Sequence, residues 1–168
     1  ISTLMDTIAA SHTLLGDEVT LECNPGSVDA TFFKDVQSAG INRISLGLQS
    51  ADPHQLRLLG RTHTPEDVQI AVENARQAGL SNISLDVMLA LPGQTFEELE
   101  KTLCFCAGEG VPHLSAYLLK IEPGTPFDRM QIASRCPDED QQADLYLSMV
   151  SFLQGLGYRQ YEISNFAY

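Results

Sequence analysis

The stretch Ile83-Ser84-Leu85-Asp86-Val87-Met88 decides the fold, because three other segments repeat its pattern: Val19-Thr20-Leu21-Glu22-Cys23-Asn24, Ile44-Ser45-Leu46-Gly47-Leu48-Gln49 and Leu114-Ser115-Ala116-Tyr117-Leu118-Leu119. In each, one parity is aliphatic or small and apolar. The other opens on a hydroxyl (Thr20, Ser45, Ser84, Ser115), continues with Glu22, Gly47, Asp86 or Tyr117, and ends on Asn24, Gln49, Met88 or Leu119. Side chains of a strand alternate between faces, so each parity marks one face of a sheet. Helical patterns separate the four segments, which implies parallel strands joined by right-handed crossovers. Parallel strands covered on both faces read as continuous apolar runs, and these do not. The pattern predicts one face packed on helices and a second that forms the interior of a barrel or partial barrel. The polar mouth of that interior would hold a ligand. Inward polar groups that only satisfy one another, and a doubly wound sheet with a polar switch point, are the competing arrangements.

Working outward, Asp29 to Ala39 is predicted helical, with Ser27 or Asp29 as cap and Gly40 as its end. Thr64-Pro65-Glu66-Asp67 is a helix start, Thr95 to about Ala107 a third helix, and Asp138 to Leu156 the longest. Ile1 to Leu15 reads as the middle of a helix, and Tyr158 to Ile163 as a last strand. Two longer connections, Ser50 to Thr64 and Lys120 to Pro137, follow strand C-termini, where barrel enzymes build their sites. Arg61 lies in the first. Its planar fork either meets a ligand carboxylate or pairs with a neighbouring acid. No glycine-rich phosphate loop of the GxGxxG or GxxxxGKS type is present.

At 168 residues the chain has the size of one ordinary domain. Ten basic residues face 22 acidic ones, a net charge of −12. No basic stripe is present, so a nucleic-acid partner is not expected. No apolar run reaches the roughly 18 residues of a membrane span, and no signal peptide opens the chain. Cys104 and Cys106 lie two apart on a predicted helix, roughly 200° around its axis, and cannot chelate one ion. Cys23 falls on an aliphatic parity and Cys136 before a proline, so no metal site is expected of the four thiols, which fit a reducing, cytoplasmic setting. His12, His54, His63 and His113 share no face, and helix-start packing accounts for His63 better than iron binding does.

ECNPGS at 22–27, GINRISLGLQS at 40–50, LLGRTH at 58–63, ISLDVMLALPGQT at 83–95, LSAYLLKIEPGTPF at 114–127 and YRQYEISNF at 158–166 together resemble one family. It is the radical S-adenosylmethionine group that includes oxygen-independent coproporphyrinogen III dehydrogenase and the related heme chaperone HemW. The resemblance runs from about residue 17 to the end. The wording NPG, PGQT, IEPGTP and YEISNF is closer to the heme-chaperone branch.

The resemblance implies an α/β fold, a partial (β/α)6 TIM-like barrel of which this chain is roughly the last four strands. Residues 1–168 would form the C-terminal portion of the core barrel and end at the start of a following domain. It also implies S-adenosylmethionine, a [4Fe–4S] cluster and heme as cofactors or ligands. Position by position, the resemblance implies that Glu22 matches the acid at the ribose of S-adenosylmethionine, and that Gln49, Arg61 and Asp86 match further contacts to it or, in the dehydrogenase, to a second copy of it. The family's CxxxCxxC cluster loop and GGGTP strand end have no counterpart here. The cluster ligands are therefore expected upstream, and the chain alone should not cleave S-adenosylmethionine. Heme binding and transfer to an acceptor protein, with an unidentified electron donor, is the leading expectation. Oxidative decarboxylation of coproporphyrinogen III is the alternative, and an ordinary sugar- or acid-processing barrel a third.

Overall fold

The structure, a computed structural model, describes residues 1–12 and 18–168. Helix α1 (Ser2–Ser11) occupies part of the segment expected to be helical, and residues 13–15 of that expectation lie outside the described residues. Then come β1 (Thr20–Cys23), α2 (Ala30–Ser38), β2 (Arg43–Gln49), α3 (Pro53–Leu58), α4 (Pro65–Gln77), β3 (Asn82–Leu89), α5 (Phe96–Gly108), β4 (His113–Leu118), α6 (Pro126–Arg129), α7 (Glu139–Gly155), β5 (Arg159–Glu162) and β6 (Asn165–Ala167).

Cap chemistry fixes where the helices begin. Thr64 accepts from the Asp67 amide while the Asp67 carboxylate accepts from the Thr64 amide, and Pro65 fills the first turn. Thr95 and Glu98 form the same reciprocal box at α5, and Asp138 and Gln141 form it at α7. Asp29, not Ser27, caps α2, accepting from the Phe32 amide. Asp52 caps α3, a helix inside a connection that its turn residues marked only as a loop.

The six strands form one α/β sheet in the order β1-β2-β3-β4-β6-β5. β1 to β4 are parallel, whereas β6 runs antiparallel to both β4 and β5. The expected last strand at 158–163 is thus half of a hairpin, because Ile163 and Ser164 turn the chain back beside β4. Ser115 Oγ donates to Asn165 Oδ1, and the Ala116 amide donates to the Ser164 carbonyl.

The aliphatic parity of β2 and β3 is buried as predicted, that of β1 is partly buried, and β4 leaves Leu118 exposed. Ile44, Leu46, Leu48, Ile83, Leu85, Val87 and Leu114 pack on Phe33 and Val36 of α2, Val68 and Val72 of α4, Leu99 and Leu103 of α5, and Met149 and Leu153 of α7. The polar parity shares one face, but not in one level row. Ser45 lies opposite Ser84, whereas Glu22 lies opposite Ser45, Ser115 opposite Asp86 and Tyr117 opposite Met88. β1 and β4 are each displaced by two residues from the alignment the sequence motifs suggest. A two-residue shift keeps every side chain on its face, and such stagger is what a tilted, barrel-forming sheet requires.

Candidate functional site

On the polar face a cavity of about 630 Å³ runs along the strands. Glu22, Ser45, Asp86 and Tyr117 line it toward the strand C-termini, and Arg43 and His113 toward the other end. A smaller hollow of about 280 Å³ lies beside the β1 end, between Asn24 and Gly26 on one side and Arg61 and His63 on the other.

Asp86 is half-buried, and its Oδ1 accepts from Ser45 Oγ at 2.9 Å. Burial pushes its carboxyl above the usual carboxylate range, against the Ser45 hydrogen bond, and the Glu22 charge pushes the same way. Glu22 is exposed on β1, the edge strand, and faces the same cavity. Two carboxylates on one concave wall suit a ligand bearing hydroxyl or amine donors.

Gln49 ends β2 and is 3% exposed. Its φ of +68° lies in the left-handed region, which glutamine visits at a cost. The β2–β3 register breaks between Leu46 and Gln49. This kink turns the amide back over Gly47, where an added Cβ would stand 2.9 Å from Gln49 Nε2. Gln49 Oε1 accepts from the Tyr117 hydroxyl at 3.1 Å.

Arg61 follows the α3 stop at Gly60, and its amide bonds back to the Leu56 carbonyl. Its Nη1 donates to Asn24 Oδ1 at 2.7 Å. Among the described residues the guanidinium is therefore held by a neutral amide and not by an acid, and its charge is felt at Asp86.

Of the four residues singled out in the sequence, Glu22 and Asp86 thus share one cavity. Gln49 reaches it through Tyr117, and Arg61 lines the neighbouring hollow. His63 is buried, with Nε2 at 3.2 Å from the Leu48 carbonyl, which matches its reading as a packed side chain.

Sequence reasoning missed the opposite end of the cavity. His113 Nδ1 lies 2.7 Å from Ser84 Oγ and 3.3 Å from Arg43 Nη2, and His113 Nε2 lies 2.7 Å from the Tyr161 hydroxyl. A guanidinium can only donate, so Nδ1 is the acceptor and Nε2–H donates to Tyr161. Arg43 and His113 share the parity of Ser45 and Ser115. Extending each strand pattern one residue toward its start would have found them.

The thiols do not fit an iron–sulfur cluster. Among the described residues no three His, Cys, Asp or Glu converge on a point where a metal ion could sit. Burial holds the Cys23 thiol up at about 11 and pushes Cys106 up as well, so neither offers a thiolate near neutral pH.

The Radical SAM superfamily model matches residues 3–106, more than half of the chain. The chain belongs to the radical SAM superfamily. Among its members, the chain is 41% identical over 166 residues to the heme chaperone HemW of Escherichia coli K12, covering 98% of itself and 43% of that protein. It is 39% identical over 174 residues to the mouse mitochondrial radical S-adenosyl methionine domain-containing protein 1, covering 99% of itself and 38% of that relative. The chain therefore spans about two fifths of the length of these relatives. The solved structure of the E. coli radical SAM enzyme coproporphyrinogen III oxidase superposes with a TM-score of 0.87 at 25% identity, over 99% of this chain and 39% of that one. The α/β partial-barrel architecture is that of this radical SAM fold.

Proposed function

We propose that the concave face of this chain is the S-adenosylmethionine-binding wall of a radical SAM protein that binds and transfers heme. The observation that carries the first part is that Glu22, Asp86 and Tyr117 line one polar cavity, Tyr117 bonds to Gln49 beside it, and Arg61 lines a neighbouring hollow. Glu22 and Asp86 would accept hydrogen bonds from ribose hydroxyls or an amine. Arg61 would meet a carboxylate, and Gln49 would orient the ligand from the strand end. The superfamily's chemistry comes from S-adenosylmethionine and a [4Fe–4S] cluster. The thiols here do not hold that cluster, so the part assigned to this chain is ligand binding and water exclusion rather than electron transfer.

Heme enters through the likeness to HemW chaperones, at 41% and 39% identity in E. coli and Bacillus subtilis. The likeness to coproporphyrinogen III oxidase supports a second reading, oxidative decarboxylation of coproporphyrinogen III. An anaerobic assay of the whole protein separates them. Stable heme binding with no protoporphyrinogen formed is the expected result. Protoporphyrinogen formation would overturn the chaperone reading in favour of the oxidase.

A further inference from the structure

Arg61 reaches its hollow from the end of a helix too short to hold itself in place. α3 has 6 residues, well below the length at which a helix is stable alone, and only Gln55 and Leu56 on it are buried. Gly60, at φ +69°, closes the helix. Its amide donates to the Arg57 carbonyl, and the Arg61 amide donates to the Leu56 carbonyl. This closing motif carries the placement of α3 directly into the backbone of Arg61. Where α3 sits therefore decides where the guanidinium sits.

Leu56 contributes apolar burial, which has no direction. Gln55 contributes direction. It is 3% exposed, and both ends of its carboxamide are engaged. Oε1 accepts from Ser50 Oγ at 2.7 Å and from Gln94 Nε2 at 3.4 Å, while Nε2 donates to Glu98 Oε2 at 3.3 Å. A carboxylate only accepts, so Glu98 fixes which end of the amide faces it. The three partners belong to three places in the fold. Ser50 follows β2, Gln94 lies in the turn after β3, and Glu98 lies in the first turn of α5. Ser50 Oγ also accepts from the Asp52 amide at the α3 cap, and Gln94 Oε1 accepts from the Leu91 amide. Loss of the Gln55 carboxamide would leave buried groups on all three sides short of a partner.

We propose that Gln55 is the positioning residue for Arg61. Its carboxamide ties α3 to the ends of β2 and β3 and to α5, and so sets the guanidinium against Asn24. Gln55 lines neither the cavity nor the neighbouring hollow, so it acts through Arg61 and not on a ligand. The inference rests on the reading of this face as the S-adenosylmethionine site and adds the residue that holds Arg61 in place there.

Calorimetric titration of the whole protein with S-adenosylmethionine tests it, using wild type, Gln55→Met, Arg61→Ala and the double variant. Methionine keeps the length of the side chain and removes its hydrogen bonds. Gln55→Met should weaken binding by about 3- to 10-fold. The loss should vanish in the Arg61→Ala background, because Gln55 acts through Arg61. Wild-type affinity in Gln55→Met, or an equal loss in both backgrounds, would overturn the proposal. Gln55→Glu gives an independent readout. Its ionised carboxylate would face that of Glu98, whereas its protonated form would again donate there. Its affinity relative to wild type should therefore rise as the pH falls from about 8 to about 5, and a flat ratio would overturn the proposal. Absence of binding by wild type would instead sink the S-adenosylmethionine reading and leave the positioning claim to the ligand-free protein. There the Arg61 side-chain Nε–H signal in a nitrogen-15 spectrum should move in Gln55→Met, and an unmoved signal overturns it.

Discussion

Asp86 is stabilised in the fold by one hydroxyl and destabilised by burial and by Glu22. Its ordinary titration lies at 3.8 and its folded one above that, so at neutral pH the folded protein holds a carboxylate in a place that disfavours charge. Groups kept for ligands commonly cost stability. Asp86→Asn should therefore raise the unfolding free energy by on the order of 1 kcal/mol in urea denaturation, while S-adenosylmethionine affinity drops at least tenfold. A destabilised variant would contradict this account of Asp86. His113 gives a prediction of its own. Burial, then Arg43, lowers its titration below 6.5, so the unfolded chain binds the proton more readily. Its contribution to stability is complete above pH 6.5 and is lost as the pH falls below that value. Protonation would place N–H on Nδ1 facing Arg43, with Ser84, Tyr161 and the more distant Glu18 the other groups around the ring. Urea denaturation from pH 7 downward should show the wild type losing more stability than His113→Gln. Parallel pH profiles would contradict it.

At the scale of elements, the four parallel strands were visible as alternations, and α2, α4, α5 and α7 were visible from their start signals. Thr95→Ala should cost about 1 kcal/mol by removing the cap of α5, measurable as a lower denaturation midpoint at unchanged slope. The β2 end is more sensitive in function than in stability. A methyl at Gly47 would press on the carboxamide end of Gln49, so Gly47→Ala should move that amide and weaken ligand binding with only a small stability change. An unchanged affinity would show that Gln49 does not touch the ligand. What the sequence left hidden lies between elements. The hydroxyl motifs of four strands look level when written out, yet stagger of β1 and β4 sets Glu22 beside Ser45 and Tyr117 beside Met88. Hydrogen-bond register depends on sheet tilt, which no single strand encodes. The β5–β6 hairpin was hidden for a related reason, since the turn at 163–164 carries no glycine or proline.

Across the whole molecule the sheet divides the labour. One face buries aliphatic side chains under α2, α4, α5 and α7, and truncating a residue such as Leu85 there would cost about 2–5 kcal/mol. The other face leaves its side chains to a polar cavity, with a smaller hollow beside it. Glu22, Gln49 and Asp86 were legible because polar residues on a strand of a parallel sheet contradict the usual apolar run. Arg61 was legible only as a loop cation, and its neutral partner Asn24 was not, because that pair joins residues 37 apart in the sequence. Among the described residues no helix is long and apolar enough to cross a membrane. The most direct test of the central claim is a backbone nitrogen-15 spectrum of the protein titrated with S-adenosylmethionine. Saturable shifts concentrated at Glu22, Gln49, Arg61, Asp86 and Tyr117 are expected. Shifts confined to the helical face, or none at saturating ligand, would contradict that claim.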